Sequence, residues 1–137
     1  PLTLDDIKEY IREDTDEADR YYNYLIDQLN INKNKLLKRE DNSTQWDIPT
    51  GEIWGKIEQT SEYSSNRKII GYYIYPEIVR RIFAETSTNW NSIKKKLADR
   101  GYIETCSEQQ KGITKVRYTV KEMMPEGYRN MIQINIS

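Results

Sequence analysis

The chain has 137 residues, 36% of them hydrophobic and 31% charged, with a formal net charge of −1, one cysteine and no histidine. That length suits one modest core with an appended segment; no apolar run approaches the roughly 18 residues that a membrane span needs, and no signal peptide is visible. The lone Cys106 excludes an internal disulfide and points to a reduced, cytoplasmic setting, and the missing histidine removes Ser-His-Asp and Cys-His nucleophilic sites and the commonest zinc patterns.

The first part of the chain is acidic and helical. Residues 1–50 hold 7 Lys/Arg against 12 Asp/Glu, whereas residues 51–137 hold 14 against 10. Any electrostatic footprint for a polyanion therefore lies in the second part. Thr3 with Asp6 fits a capping box, and Leu4, Ile7, Tyr10 and Ile11 share a face of a short first helix. Thr15 or Asp16 caps a second helix, whose apolar stripe of Ala18, Tyr21, Tyr22, Leu25, Ile26 and Leu29 runs to about Asn32. Residues 32–45 read as a polar connection with one helical turn around Leu36 and Leu37, and a domain boundary falls near Trp46.

From Ile48 the texture changes. Residues 50–57 are strand-like and punctuated by glycines, residues 59–67 form a polar loop, and residues 68–75 are rich in β-branched and aromatic types that predict a strand. Pro76 then suits a first helical position, and Ile78, Val79, Ile82 and Phe83 make the buried stripe of a helix. After the polar link Thr86-Ser87-Thr88-Asn89 a second helix follows, with Trp90, Ile93 and Leu97 on one face and Gly101 as its left-handed cap. Opposite that stripe lie Asn91, Ser92, Lys95 and Asp99, flanked by Lys94 on one side and by Lys96 and Arg100 on the other.

Tyr102 to Cys106 reads as a strand, with Cys106 as a packing residue, and Gln109 to Gly112 supplies a turn. The return strand alternates from Thr114 to Lys121, with Val116, Tyr118 and Val120 inward and Lys115, Arg117 and Lys121 outward. Gly127 to Ser137 alternates again, with Tyr128, Asn130, Ile132, Ile134 and Ile136 on one face, and predicts a closing strand. The fold class is thus α+β: residues 48–137 as a winged helix-turn-helix, and residues 1–47 as its helical N-terminal extension.

This order of elements is that of a DNA-binding module. Lys and Arg neutralise phosphates, and Asn reaches phosphates or base edges, so Asn91, Lys94, Lys95 and Lys96 on the helix and Lys111, Lys115 and Arg117 on the wing are the candidate DNA contacts. Most of the 11 tyrosines lie on apolar stripes or alternate within strands, which favours packing over base stacking. No phosphate loop, dinucleotide fingerprint or nucleophile elbow occurs, and the spacing of Glu52, Glu58 and Glu77 requires no metal, so no catalysis is expected within this chain.

The runs TGEIWGKIEQ, IIGYYIYPEIVRRIFAE, IKKKLADRGYIET, KGITKVRYTV and GYRNMIQINI together resemble the C-terminal part of the self-loading, MCM-like replicative helicases of mobile elements. Within that group the similarity is to the Cch type of staphylococcal cassette chromosomes, related to pathogenicity-island replication initiators. The resemblance implies that an AAA+ ATPase core precedes the winged helix in a longer, hexameric protein, and that residues 1–47 connect the two. It implies that ATP and Mg belong to that core, with no cofactor in this chain. It also implies duplex or single-stranded DNA and the ATPase core as partners, no membrane, and a monomeric isolated domain. Two other uses fit the same fold: a protein-interaction or autoregulatory module of the helicase, and a free-standing, dimeric transcriptional regulator.

Overall fold

The computed structural model describes residues 4–39, 46–59 and 69–136. In chain order its elements are α1 (Leu4–Ile31), β1 (Leu36–Arg39), β2 (Trp46–Asp47), β3 (Gly55–Gln59), β4 (Ile69–Ile74), α2 (Pro76–Ala84), α3 (Trp90–Asp99), β5 (Cys106–Gln110), β6 (Ile113–Arg117), β7 (Val120–Met124) and β8 (Gly127–Asn135).

One helix spans the stretch where the sequence predicts two. Thr15 and Asp16 are good caps, but no Gly or Pro occurs between Leu4 and Ile31, so nothing breaks the hydrogen-bond ladder. Ala18, Tyr22, Leu25 and Leu29 recur at helical spacing and are buried. The Thr3 cap and the side chains of Leu4, Ile7, Tyr10 and Ile11 lie outside the described residues, as does most of the polar loop expected at 59–67. Leu36 and Leu37 form a strand instead of a helical turn, preceded by a single 3-10 turn at Lys33–Lys35. Adjacent strand residues face opposite sides of a sheet, so the two leucines enter two different clusters.

Six strands make one sheet in the order β2-β1-β3-β4-β8-β7, with β1 parallel to β3 and the other pairs antiparallel. The helices cover one face. There Tyr22, Leu25 and Leu29 of α1 meet Tyr72 and Ile74 of β4, Ile132 and Ile134 of β8, and the apolar stripes of α2 and α3. A smaller cluster of Leu37, Tyr73, Met124 and Met131 fills the other face. Residues on both sides of the expected 47/48 division therefore share one sheet and one core. The closing strand forms as expected over Gly127–Asn135 and is buried on both faces at Met131, Ile132 and Ile134, whereas Tyr128 and Ile136 stay exposed.

Between α3 and β8 the chain makes an excursion. Of the strand expected at Tyr102 to Cys106, Ile103 makes an isolated bridge to Ile134, and only Cys106 belongs to a strand. β5 starts at Cys106, and it forms a separate two-stranded hairpin with β6. This hairpin projects from the body: every residue from Cys106 to Arg117 is exposed except half-buried Glu108. Cys106 is accordingly exposed rather than packed, and Val116 is 49% exposed rather than inward, because no layer of the body lies over either face of the hairpin. Tyr118 and Val120 return to the body and are half-buried. Helices α1, α2 and α3 on a sheet, with a projecting hairpin between α3 and the last strand, make an α+β winged helix.

Gly55 shows how tightly the sheet is closed. Its φ is +154°, and a Cβ placed there would stand 2.0 Å from the Tyr73 carbonyl oxygen. Gly55→Ala is expected to destabilise the protein by about 3 kcal/mol or more, read as a lowered urea midpoint, because backbone rather than a flexible side chain must yield. Gly112, also at positive φ but with open space around its Cα, is expected to cost about 1 kcal/mol on the same substitution.

Candidate nucleic-acid interface

The helix pair is set by its turn. Tyr75 precedes α2 in extended conformation with Pro76 as the first helical residue, where the missing N–H costs nothing. At its far end Phe83 and Ala84 accept the closing hydrogen bonds: Thr88 N to Phe83 O at 3.0 Å and Ser87 N to Ala84 O at 3.0 Å. This wrap needs a left-handed residue, and Ser87 supplies it at φ 58°. Asn89 then caps α3, its side chain accepting from Asn91 N at 3.0 Å. α3 ends in the same manner, with Gly101 N bonded to Ala98 O, Tyr102 N to Leu97 O, and Gly101 at φ 77°.

Trp90, Ile93 and Leu97 are buried as the spacing predicts, which turns Asn91, Ser92, Lys95 and Asp99 to solvent. The flanking lysines differ from one another. Lys94 is half-buried, with Nζ 4.8 Å from the centroid of the Tyr118 ring and 3.3 Å from Asn91 Oδ1. Tyr118 closes the wing, so this cation–π contact ties the wing root to the exposed edge of α3. The inward alternation of the return strand pointed to a buried Tyr118; its pairing with a lysine of another element was not visible in that pattern. Lys96 turns the other way, toward α1, and bonds Glu17 at 2.8 Å.

In the wing, β5 and β6 pair from Cys106↔Arg117 to Gln110↔Ile113. The two residues between Gln110 and Ile113 are Lys111 and Gly112, at φ 52° and 77°. A two-residue loop with both φ positive matches the right-handed twist of the strands. Lys111 and Lys115 are exposed, whereas Arg117 forms an ion pair with Glu108 at 2.7 Å. Asn91, Lys95, Lys111 and Lys115 thus present polar heads to solvent, and Lys94, Lys96 and Arg117 are each held by a neighbour. Among the described residues no group of His, Cys, Asp or Glu is arranged to hold a metal, and no helix is long and apolar enough to cross a membrane.

The sequence over residues 16–137 matches the model of a protein family described as the Cch helix turn helix domain. The chain belongs to that family. No curated protein and no solved structure gives a match. Membership in a helix-turn-helix family implies DNA binding by this Cch domain.

The Cch domain also neutralises part of its own basic helix. Besides Lys96 with Glu17, Arg100 pairs with Asp19 at 3.3 Å and Tyr102 donates to the same carboxylate. Tyr102 stacks on Tyr22 with ring centroids 3.9 Å apart. The Lys96 and Arg100 edge of α3 is thereby fastened to α1, and the face with Asn91, Ser92 and Lys95 is left to solvent. Hydrogen bonds from Lys96 and then Tyr21 hold the Glu17 carboxyl below its ordinary value of 4.5. On the far side, Arg81 and then the Trp54 indole hold Glu52 down to about 2. Arg81 and Lys35 in turn lie over the Trp54 ring, at 6.0 and 4.7 Å from its centroid.

Both carboxyls titrate lower in the folded chain than in the unfolded one. They therefore stabilise the fold above about pH 4.5; the Glu52 contribution disappears as pH falls toward about 2, and that of Glu17 as pH falls through its own lowered value. In urea titrations between about pH 6 and pH 2.5, the Glu17→Gln, Glu52→Gln double variant is expected to lose less stability on acidification than the parent; parallel curves would show that neither pair is coupled to folding.

Proposed function

We propose that this chain is the C-terminal winged helix of a mobile-element replicative DNA helicase, and that it gives the enzyme an accessory grip on DNA during origin or fork engagement. The observation that carries the DNA reading is the joint exposure of Asn91 and Lys95 on α3 and of Lys111 and Lys115 on the wing, with Lys94 and Tyr118 locking the two elements together. In this reading Asn91, Lys94 and Lys95 meet one stretch of backbone, Lys111, Lys115 and Arg117 meet the next, and Lys96 serves the α1 contact first. The helicase setting is supported by the family match and by the resemblance of the sequence runs quoted above to Cch-type helicases. ATP hydrolysis and unwinding would then belong to an AAA+ core upstream, with residues 1–47 leading from it.

The acidic residues of α1 favour a second reading, in which the domain docks on the ATPase ring or another protein. Fluorescence anisotropy of the 137-residue chain with labelled duplex and single strand separates the two. Five neutralised phosphates give a slope of log affinity against log salt of roughly −4 to −5 for duplex. Lys95→Glu with Lys115→Glu is expected to weaken binding at least about tenfold near 0.1 M salt and to reduce the slope by about 2. Equal binding by parent and variant would overturn the assignment of these residues, and no binding by the parent would leave the docking reading in its place.

A further inference from the structure

A cavity of about 220 Å³ opens between α1 and the α2–α3 turn, lined by Arg20, Tyr21, Tyr24, Thr86 and Thr88. It lies outside the contacts assigned above. Sites for drug-sized ligands run from roughly 300 to 1,000 Å³, so this one suits a single flat ring.

The lining is held in place by its own hydrogen bonds and packing. Tyr21 and Tyr24 stand three residues apart on α1, with ring centroids 6.1 and 5.9 Å from that of Phe83. Their hydroxyls are engaged as well, Tyr21 donating to Glu17 at 3.1 Å and Tyr24 to the Ile82 carbonyl at 3.3 Å. Both rings therefore meet the cavity as fixed, half-buried surfaces. On the turn, Thr86 Oγ1 donates to the Phe83 carbonyl at 2.9 Å and lies 2.9 Å from Thr88 Oγ1. With its proton committed, Thr86 accepts from Thr88, whose oxygen keeps lone pairs for an incoming N–H; after rotation the same hydroxyl donates instead. Arg20 is exposed and, among the described residues, forms no ion pair. Glu17, one residue short of a helical turn before it, is already neutralised by Lys96 at 2.8 Å.

A fixed aromatic wall, a hydroxyl that serves as donor or acceptor, and an uncommitted guanidinium match the three parts of a nucleotide: base face, base edge and phosphate. An apolar side chain of a protein partner would leave Thr88 and Arg20 unused. A paired base is excluded too, because in a duplex its faces and pairing edge are occupied, whereas an unpaired one can be splayed onto aromatic side chains. Three residues of chain, at most about 11 Å, separate Thr88 from the exposed Asn91 on α3. A strand that touches Asn91 is within reach of the cavity.

We infer that this cavity binds one unpaired nucleotide of a DNA strand that continues from a duplex on α3, with its base against Tyr21 and Tyr24, its base edge on Thr88 and its phosphate on Arg20. This rests on the DNA-binding reading above and deepens it, since the preferred substrate becomes a junction of duplex and single strand.

The test is fluorescence anisotropy of the 137-residue chain with one labelled duplex in three forms: blunt, extended by three unpaired thymidines at the 5′ or the 3′ end, and extended by abasic sites that keep the phosphates but lack the bases. One polarity of the thymidine extension is expected to bind about tenfold more tightly than the blunt duplex, the size of one stacked base. The abasic extension loses most of that gain. Arg20→Gln with Thr88→Ala, both outside the core, is expected to abolish the gain while blunt-duplex affinity stays within about twofold. If that double variant fails to fold, Arg20→Gln alone, changing an exposed side chain, is expected to reduce the gain. Lys115→Gln weakens every form alike and preserves it. Equal binding of blunt and extended duplexes by the parent, or an abasic extension as good as thymidine, would overturn the nucleotide site and leave duplex binding in place. A gain unchanged in the Arg20 and Thr88 variants would overturn the cavity as its location. Failure of the parent to bind any form would overturn the DNA reading together with the site.

Discussion

Phe83, the chain's one phenylalanine, stands where three helices meet. Its ring is fully buried, with centroids 5.8 Å from Trp90 on α3, 6.1 Å from Tyr21 and 5.9 Å from Tyr24 on α1. Its carbonyl meanwhile accepts from the Thr86 and Thr88 amides and from the Thr86 hydroxyl, so the same residue closes the turn between α2 and α3. A ring that fixes the helices and a carbonyl that fixes the turn leave little freedom in the crossing of α2 and α3. Aromatic contacts of this kind add about 0.5 to 1.5 kcal/mol each beyond the burial of a large apolar area. The direction in which α3 presents Asn91 and Lys95 follows from that anchoring.

The distribution of charge then divides α3 between two of its faces. Glu17 and Asp19 hold Lys96 and Arg100 at the C-terminal half, with Tyr102 stacked on Tyr22 beneath them. Exposed pairs like these contribute little individually, but they are short-range and directional, so they select which cations remain outward. The acidic α1 is therefore compatible with a polyanion on the opposite side of α3. Glu17 and Asp19 face Lys96 and Arg100, whereas Lys95 on α3 and Lys111 and Lys115 on the wing are at the surface. Lys94 over the Tyr118 ring adds the link that keeps those two surfaces in register.

The wing illustrates a different economy from the body. Its strands have solvent on both faces, a condition in which a hairpin is marginal without support. Support comes from the turn, where Lys111 and Gly112 take the left-handed conformations that match strand twist, and from the Arg117–Glu108 pair near the root. Such an element is free to be polar, and its surface is set by what it meets rather than by packing.

Where a side chain's fate depended on local periodicity, the sequence was legible. The stripe of Trp90, Ile93 and Leu97, the caps at Asn89 and Gly101, the Pro76 start of α2, the strand before it and the closing strand all stand where spacing and turn chemistry place them. Where it depended on what lies across the sheet or at the end of a hairpin, it was not. Leu36 and Leu37 look like a helical turn until a neighbouring strand makes each the cover of a different core. Cys106 and Val116 have the residue types of a buried strand, but the hairpin that carries them leaves the body. Lys94 and Lys96 are equivalent flanks of one helix on paper, and only the positions of Tyr118 and Glu17 separate them. By itself the sequence determined α2 and α3, their caps and the α+β order of a winged helix, because helix and turn preferences act within a few residues. The tertiary structure alone decided which cations of α3 are clamped and which face outward, because that choice rests on contacts between segments roughly 25 to 80 residues apart.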